Sequence, residues 1–266
     1  MNKTILEEAA RRFGTPCYVI SGDDFARRAN AVKEAFGENT GLCYSIKANP
    51  FLLKYLPDAF SYIEVCSPGE LSICEELSVP MSKVIFSGVN KTERDVERAW
   101  NDGVGLFTAE SLLHVRLINA RAVKSGGKAR LILRLSHGSQ FGMDASVIKE
   151  VIRNRDSYKG LEIVGLHYFT GTQKTKVQTI RRELSLLDEF CQELESELGF
   201  RRIRPRRPAG ILPFPLRQPP REWSAFRTAA LSPSAAWTEP VYFSSRRRVR
   251  CGALAPMRHA GDSPSP

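Results

Sequence analysis

One lysine lies at the position where proteins of alternating strands and helices have their catalytic residues. Lys47 follows the apolar run 42–46 and precedes Ala48-Asn49-Pro50, which places it at the carboxyl end of the first strand of a predicted sheet. That edge carries the active sites of (β/α) barrel enzymes. A lysine amine placed there can form a Schiff base with an aldehyde cofactor. A solvated lysine that only ends a strand is the other interpretation of this residue.

The six cysteines do not form a metal or disulfide motif. None of them makes a CxxC pair, and no group of histidines and cysteines has the spacing of a zinc site. We therefore expect reduced thiols, no bound metal and a cytoplasmic location. The sequence contains no run of about 18 apolar residues that would span a membrane, and we expect no membrane partner.

Short apolar runs alternate with amphipathic segments along the first 200 residues. Each run is apolar on both faces, as buried parallel strands are. The predicted strands centre on residues 42–46, 62–66, 84–87, 104–107, 130–135 and 163–169, with an isolated strand before them at 15–20. The predicted helices cover residues 4–13, 23–36, 67–77, 92–103, 110–123, 144–155 and 175–198.

Six strand–helix units of this kind predict a parallel sheet of the α/β class. An open doubly wound sheet and a (β/α)8 barrel both fit the pattern. The first strand is not followed by a GxGxxG or Walker A run, which disfavours a nucleotide-binding sheet. A complete barrel needs roughly 250 residues, so six units would form an incomplete one.

The positive charge is confined to the end of the chain. The 266 residues carry a net charge of +10, yet residues 1–200 are neutral overall, whereas residues 201–266 hold 13 arginines, three acids and 11 of the 16 prolines. This composition predicts a disordered Arg/Pro-rich tail. We divide the chain into an N-terminal segment, 1–37, a barrel, 38–200, and the tail. The tail matches no nucleic-acid fold signature, so a nucleic-acid partner is disfavoured.

Five motifs resemble the fold type III pyridoxal-phosphate decarboxylases, which include the diaminopimelate, ornithine and arginine decarboxylases. Tyr44-Ser45-Ile46-Lys47-Ala48-Asn49-Pro50 is similar to their Schiff-base signature. The other four motifs lie at residues 14–19, 64–71, 141–144 and 165–173, and all five stand in family order. The diaminopimelate branch is the most similar. The resemblance implies an incomplete (β/α)8 barrel of the alanine-racemase-like class with pyridoxal 5′-phosphate as its cofactor.

The resemblance also implies roles for single residues. Lys47 would hold the cofactor, and Glu64 matches an acidic position near that lysine. Arg134 matches an arginine near the cofactor. Thr172 matches a small hydroxyl residue that contacts the cofactor phosphate, and Gly171 lets the backbone approach it. The alternatives are a strand-end carboxylate for Glu64, an inward charge paired with another barrel residue for Arg134, and an ordinary turn for the last two.

One position departs from the family pattern. The family usually has a second histidine two places after His167, stacked on the pyridine ring, and this chain has Phe169 there. A phenyl ring can still stack on the cofactor, but it supplies neither charge nor a hydrogen bond. We keep both residues among those predicted to line the cofactor site, with His167 in a structural role.

The family's later motifs are missing from the sequence. Its glycine-rich phosphate loop, the acid facing the pyridine nitrogen and the substrate-side residues of a β domain should follow residue 200, but none occurs in residues 201–266. Our hypothesis is a frameshift near residue 201. We also expect a barrel of six units to fold poorly or to aggregate through its open sheet edges.

The activity that the resemblance implies is α-decarboxylation of an amino acid, and we expect it to be impaired in this chain, which lacks the later motifs. The preferred substrate is meso-diaminopimelate, which would give L-lysine in lysine biosynthesis, and intact family members are homodimers. The alternatives are an ornithine or arginine substrate, a barrel that binds the cofactor without turnover, and, as a lesser option, an amino-acid racemase.

Overall fold

Six parallel strands form one sheet in the computed structural model, which describes residues 3–37, 40–171 and 176–200. The strands stand side by side in chain order, and this order fits a barrel rather than a doubly wound sheet, in which the order reverses. The tail predicted for residues 201–266 lies outside the described residues. The strands are β1 (Leu42–Ser45), β2 (Phe60–Val65), β3 (Val84–Phe86), β4 (Leu106–Ala109), β5 (Ala129–Leu135) and β6 (Leu161–Tyr168).

The predicted helices are confirmed within a few residues at each end. Several start at the capping residues that the sequence offers, as at Thr92, whose side chain accepts a hydrogen bond from the backbone N–H of Asp95. Within the described ranges, no helix is both long and apolar enough to cross a membrane. The helices are α1 (Lys3–Phe13), α2 (Gly22–Phe36), α3 (Pro68–Glu76), α4 (Glu93–Asn101), α5 (Leu112–Lys124), α6 (Ala145–Arg153) and α7 (Val177–Leu198), with short 3-10 helices at Ile46–Ala48, Pro50–Tyr55, Met81–Lys83 and Arg155–Ser157.

The two faces of the sheet bury different apolar clusters. The larger cluster joins one face to the helices, with fully buried side chains from strands and helices alike. A smaller cluster lies on the opposite face, where the barrel interior is. Its members are Ile85, Leu106, Ile132 and Val164, with Cys43 and Tyr62 packed against them.

A layer of buried polar side chains lies next to the smaller cluster, toward the carboxyl ends of the strands. Successive side chains of a strand point to opposite faces, so residues two apart share a face. Ser87 follows Ile85 in this way, and Thr108 follows Leu106; their hydroxyls are 3.0 Å apart. The apolar layer therefore forms the floor beneath a polar end of the barrel interior. The polar layer holds Ser45, Glu64, Ser87, Thr108, Arg134 and His167, all of them buried.

One prediction for the N-terminal segment was wrong. Residues 15–20 form no strand, and Tyr18 there is 84% exposed. A strand needs a neighbour to pair with, and among the described residues this segment has none. The preceding helix α1 likewise has no buried residue, and its Ile5, Leu6 and Phe13 are exposed.

Candidate active site

Lys47 lies where the sequence predicts it, at the carboxyl edge of the sheet. It is part of the 3-10 helix Ile46–Ala48, which begins directly after β1. The Tyr44 hydroxyl closes this turn by donating to the carbonyl oxygen of Asn49 at 2.7 Å. The Lys47 Nζ donates to the Sγ of Cys66 at 3.2 Å, so the amine points across to the end of the neighbouring strand β2.

Glu64 is buried beside β1, where it pairs in register with Ser45. Burial by itself would raise the pKa of this carboxyl group. The nearby His167 and Lys47, together with the hydroxyls of Ser45 and Ser87, outweigh burial and hold the pKa of Glu64 below its ordinary value. Its Oε2 atom is buried and has no hydrogen-bond partner among the described residues. The carboxylate is therefore ionised near the lysine and keeps an open acceptor site.

Arg134 forms a buried ion pair with Glu110. Its Nη1 is 2.5 Å from the Oε2 of Glu110, and the two side chains are only 11% and 5% exposed. The rings of Phe141 and Phe169 lie 5.3 and 6.0 Å from its guanidinium carbon, within the range of cation–π attraction. Phe169 thus packs on Arg134, and its stacking on a cofactor ring stays a prediction.

His167 lies on β6, paired in register with Arg134. Burial lowers its pKa to about 3; the carboxylate of Glu64 opposes this shift, and the positive charges of Arg134 and Lys47 add to it. The imidazole is therefore neutral at neutral pH. The structural role expected of this residue stays a prediction.

Gly171 and Thr172, the two residues predicted to contact a phosphate, come after β6 in the sequence. Gly171 has φ +119, a backbone conformation that side chains rarely adopt. Apart from its chain neighbours, no atom of the described residues lies within 4 Å of the place a Cβ would take. The backbone there is open to a ligand. Thr172 lies outside the described residues.

The sequence did not single out two charged residues of this site. Glu110 follows β4 directly. Polar residues at the carboxyl end of a strand are candidate site residues, as Lys47 is, but the sequence pattern predicts that Glu110 begins a helix. Lys91 comes five residues after β3; it is only 4% exposed and donates to the carbonyl oxygen of Gly88 at 2.5 Å. Burial lowers the pKa of Lys91 to about 8, against the opposing charge of Glu110.

The arrangement combines an amine with an excess of positive charge. Lys47, Lys91 and Arg134 face the carboxylates Glu64 and Glu110 around one polar layer. The described residues thus leave a net charge of about +1 when both lysines are protonated. A site of this kind can bind an anionic ligand and attach an aldehyde group covalently to a lysine.

Acid should destabilise the fold through His114. This side chain is buried, its Nδ1 accepts from the backbone N–H of Glu110 at 3.3 Å, and burial, assisted by the charge of Lys91, lowers its pKa to about 4. The unfolded chain takes up a proton near pH 6.5 and the folded one only near pH 4, so stability is lost as the pH falls between these values. We expect His114→Asn to reduce the loss between pH 7 and 5 by on the order of 2 kcal/mol.

Urea unfolding at the two pH values measures this difference. Asparagine keeps an acceptor near Nδ1 but does not titrate in this range. His137, which is exposed, provides the matched control, and His137→Asn should leave the loss unchanged. Equal losses in the wild type and in His114→Asn would contradict the prediction.

Comparison with known families identifies what this barrel resembles. Residues 22–203 match the family described as pyridoxal-dependent decarboxylase, pyridoxal binding domain. A diaminopimelate decarboxylase of Aquifex aeolicus is 29% identical over 209 residues, covering 71% of this chain and 50% of the relative. The enzyme of the same name from Neisseria meningitidis serogroup A is 30% identical over 206 residues, 69% of this chain and 51% of the relative. The chain thus spans about half the length of these curated relatives.

Solved structures share the fold. A lysine/ornithine decarboxylase from Vibrio vulnificus, crystallised with putrescine, superposes with a TM-score of 0.75 at 20% identity, over 91% of this chain and 66% of that one. Diaminopimelate decarboxylase from Methanocaldococcus jannaschii gives 0.73 at 21% identity, over 90% and 62%. At these identities the likeness supports the fold alone. Coverage of under two thirds agrees with an incomplete barrel.

Proposed function

Because this chain belongs to the pyridoxal-dependent decarboxylases, through their pyridoxal-binding domain, we propose that it forms the cofactor-holding barrel of an amino-acid α-decarboxylase. We propose meso-diaminopimelate as the substrate and L-lysine as the product. The observation that carries the proposal is the Lys47 amine at the carboxyl edge of the sheet, beside the buried carboxylate of Glu64. The homology to diaminopimelate decarboxylases supports the choice of substrate.

The described residues fit pyridoxal phosphate. An aldehyde needs a lysine, and Lys47 stands at the edge where barrel enzymes bind their ligands. The buried Oε2 of Glu64 has no hydrogen-bond partner among the described residues, so a donor on a ligand has an acceptor waiting. The excess of positive charge suits a phosphate, and the open backbone at Gly171 gives it room to approach.

The chain's own side chains would bind, orient and move protons. Lys47 Nζ would hold the cofactor, give way to the amine of the substrate and then carry a proton at the same place. Glu64, ionised beside it, would keep that amine oriented, and Arg134, fixed by Glu110, would add positive charge to the site. When bound, pyridoxal phosphate supplies an electron sink that lets CO2 leave.

Other properties of the whole protein are part of the proposal. We propose a homodimer located in the cytoplasm, as the family resemblance implies. We also propose that residues 1–37 form a segment separate from the barrel.

The apolar floor beneath the polar layer supports the proposed site, since it closes the barrel interior from one end.

Release of CO2 tests the proposed function. We expect the purified chain, loaded with pyridoxal phosphate and given carboxyl-labelled meso-diaminopimelate, to release labelled CO2 at a reduced rate, because residues 201–266 contain none of the family's substrate-side motifs. Lys47→Ala should release none. Ornithine and arginine are the comparison substrates, and faster release from either would overturn the substrate. Cofactor uptake without CO2 from any of the three would favour the alternative, a barrel that binds the cofactor without turnover.

A further inference from the structure

Among the described residues, Cys66 has the one side chain that is hydrogen-bonded to the Lys47 amine. The Nζ–Sγ distance is 3.2 Å, and Cys66 stands directly after β2, two residues beyond Glu64. Burial raises the pKa of the Cys66 thiol to about 12. The sulfur is therefore an uncharged, weak acceptor at neutral pH, which can hold an amine and still release it.

The backbone around Cys66 is fixed on both sides. Its N–H donates to the Oε2 of Glu70 at 2.7 Å, and the backbone N–H of Glu70 in turn donates to the Oγ of Ser67 at 3.2 Å. On the other side, Gly88 approaches so closely that a Cβ built there would lie 2.3 Å from the carbonyl oxygen of Cys66. The thiol is thus presented from a rigid corner at the start of α3.

We propose that Cys66 is a positioning residue for Lys47, whose thiol holds the amine in place before the cofactor attaches. This inference rests on the proposed function, because attachment is what the position of the amine serves. A lysine side chain has several freely rotating bonds and loses rotamer freedom when it is ordered. A weak contact from a rigid neighbour supplies part of that ordering in advance.

Chemical labelling of Lys47 without cofactor tests the contact itself. We expect Cys66→Ala to raise the rate at which a small acylating reagent modifies Lys47 in the full chain by about five-fold, as loss of one hydrogen bond allows. We expect the same variant to take up pyridoxal phosphate about five-fold more slowly, followed by absorbance. Cys66→Ser keeps an acceptor and should return both rates to within about two-fold of the wild type.

Two controls make the result decisive. Cys43→Ala removes a thiol from the same barrel interior and should leave the labelling of Lys47 unchanged. Lys91, buried and bonded to Gly88, should stay protected in every folded variant; where Cys66→Ala loses this protection, Cys66→Val, which also lacks an acceptor, replaces it. Unchanged labelling of Lys47 with Lys91 still protected overturns the inference. Cofactor uptake that does not need Lys47 overturns the proposed function instead.

Discussion

Lys47→Ala abolishes the covalent attachment of pyridoxal phosphate. In the wild type we expect an absorbance band near ~420 nm when the cofactor is added. We expect none in the variant, because the other lysine of the site, Lys91, is buried and bonded to the carbonyl oxygen of Gly88. Affinity should fall by at least about a hundred-fold, since covalent attachment is lost. Absorbance titration measures both quantities.

A second lysine of the same loop provides the matched control. Lys54 lies in the exposed part of the 3-10 helix Pro50–Tyr55, and Lys54→Ala should retain the band and the affinity. Borohydride reduction followed by peptide mapping should find the cofactor on Lys47 in both the wild type and this control. Attachment to Lys91 in the wild type would contradict the assignment.

Glu110→Gln destabilises the folded chain by about 3–5 kcal/mol. The substitution removes the carboxylate that neutralises Arg134 while leaving its guanidinium buried, and an uncompensated buried charge is strongly unfavourable. The aromatic rings of Phe141 and Phe169 still contact the guanidinium, but they do not replace a full negative charge. Denaturant unfolding gives the change in the free energy of unfolding.

The same substitution at a solvent-exposed glutamate calibrates this effect. Glu97 lies 3.8 Å from Arg121 with 48% of its side chain exposed, and Glu97→Gln should change stability by less than about 1 kcal/mol. The double variant Glu110→Gln with Arg134→Met removes both charges and should recover much of the lost stability. Equal destabilisation by Glu110→Gln and Glu97→Gln would refute the buried pair.

The order of the elements could be predicted because each strand carries a local signal. Apolar runs such as 84–87 are buried on both faces wherever a parallel sheet forms, so the sequence alone predicts their burial. The prediction of an isolated strand at 15–20 was wrong because a local pattern does not supply a pairing partner, and a strand forms only beside another strand. The local pattern does not decide between an open doubly wound sheet and a barrel, because that choice depends on how distant strands pair. The family resemblance predicted the barrel.

Part of the site could be predicted in the same way. Lys47 was found because one rule, polar residues at the carboxyl ends of parallel strands, places it there. The contact with Cys66 and the burial of Lys91 depend on how the segments after β1, β2 and β3 pack against one another. Nothing in their local sequence indicates this packing. For Arg134, the sequence permits a buried charge paired with another barrel residue, but it does not identify Glu110 as that residue.

The helix α1 has a consequence for how the chain opens. It buries none of its residues, and its apolar side chains Ile5, Leu6 and Phe13 face water. A helix of 11 residues without tertiary packing is marginal in water. Its amide hydrogens should therefore exchange with solvent long before those of β5 and β6, and a protease should cut α1 while the sheet remains intact.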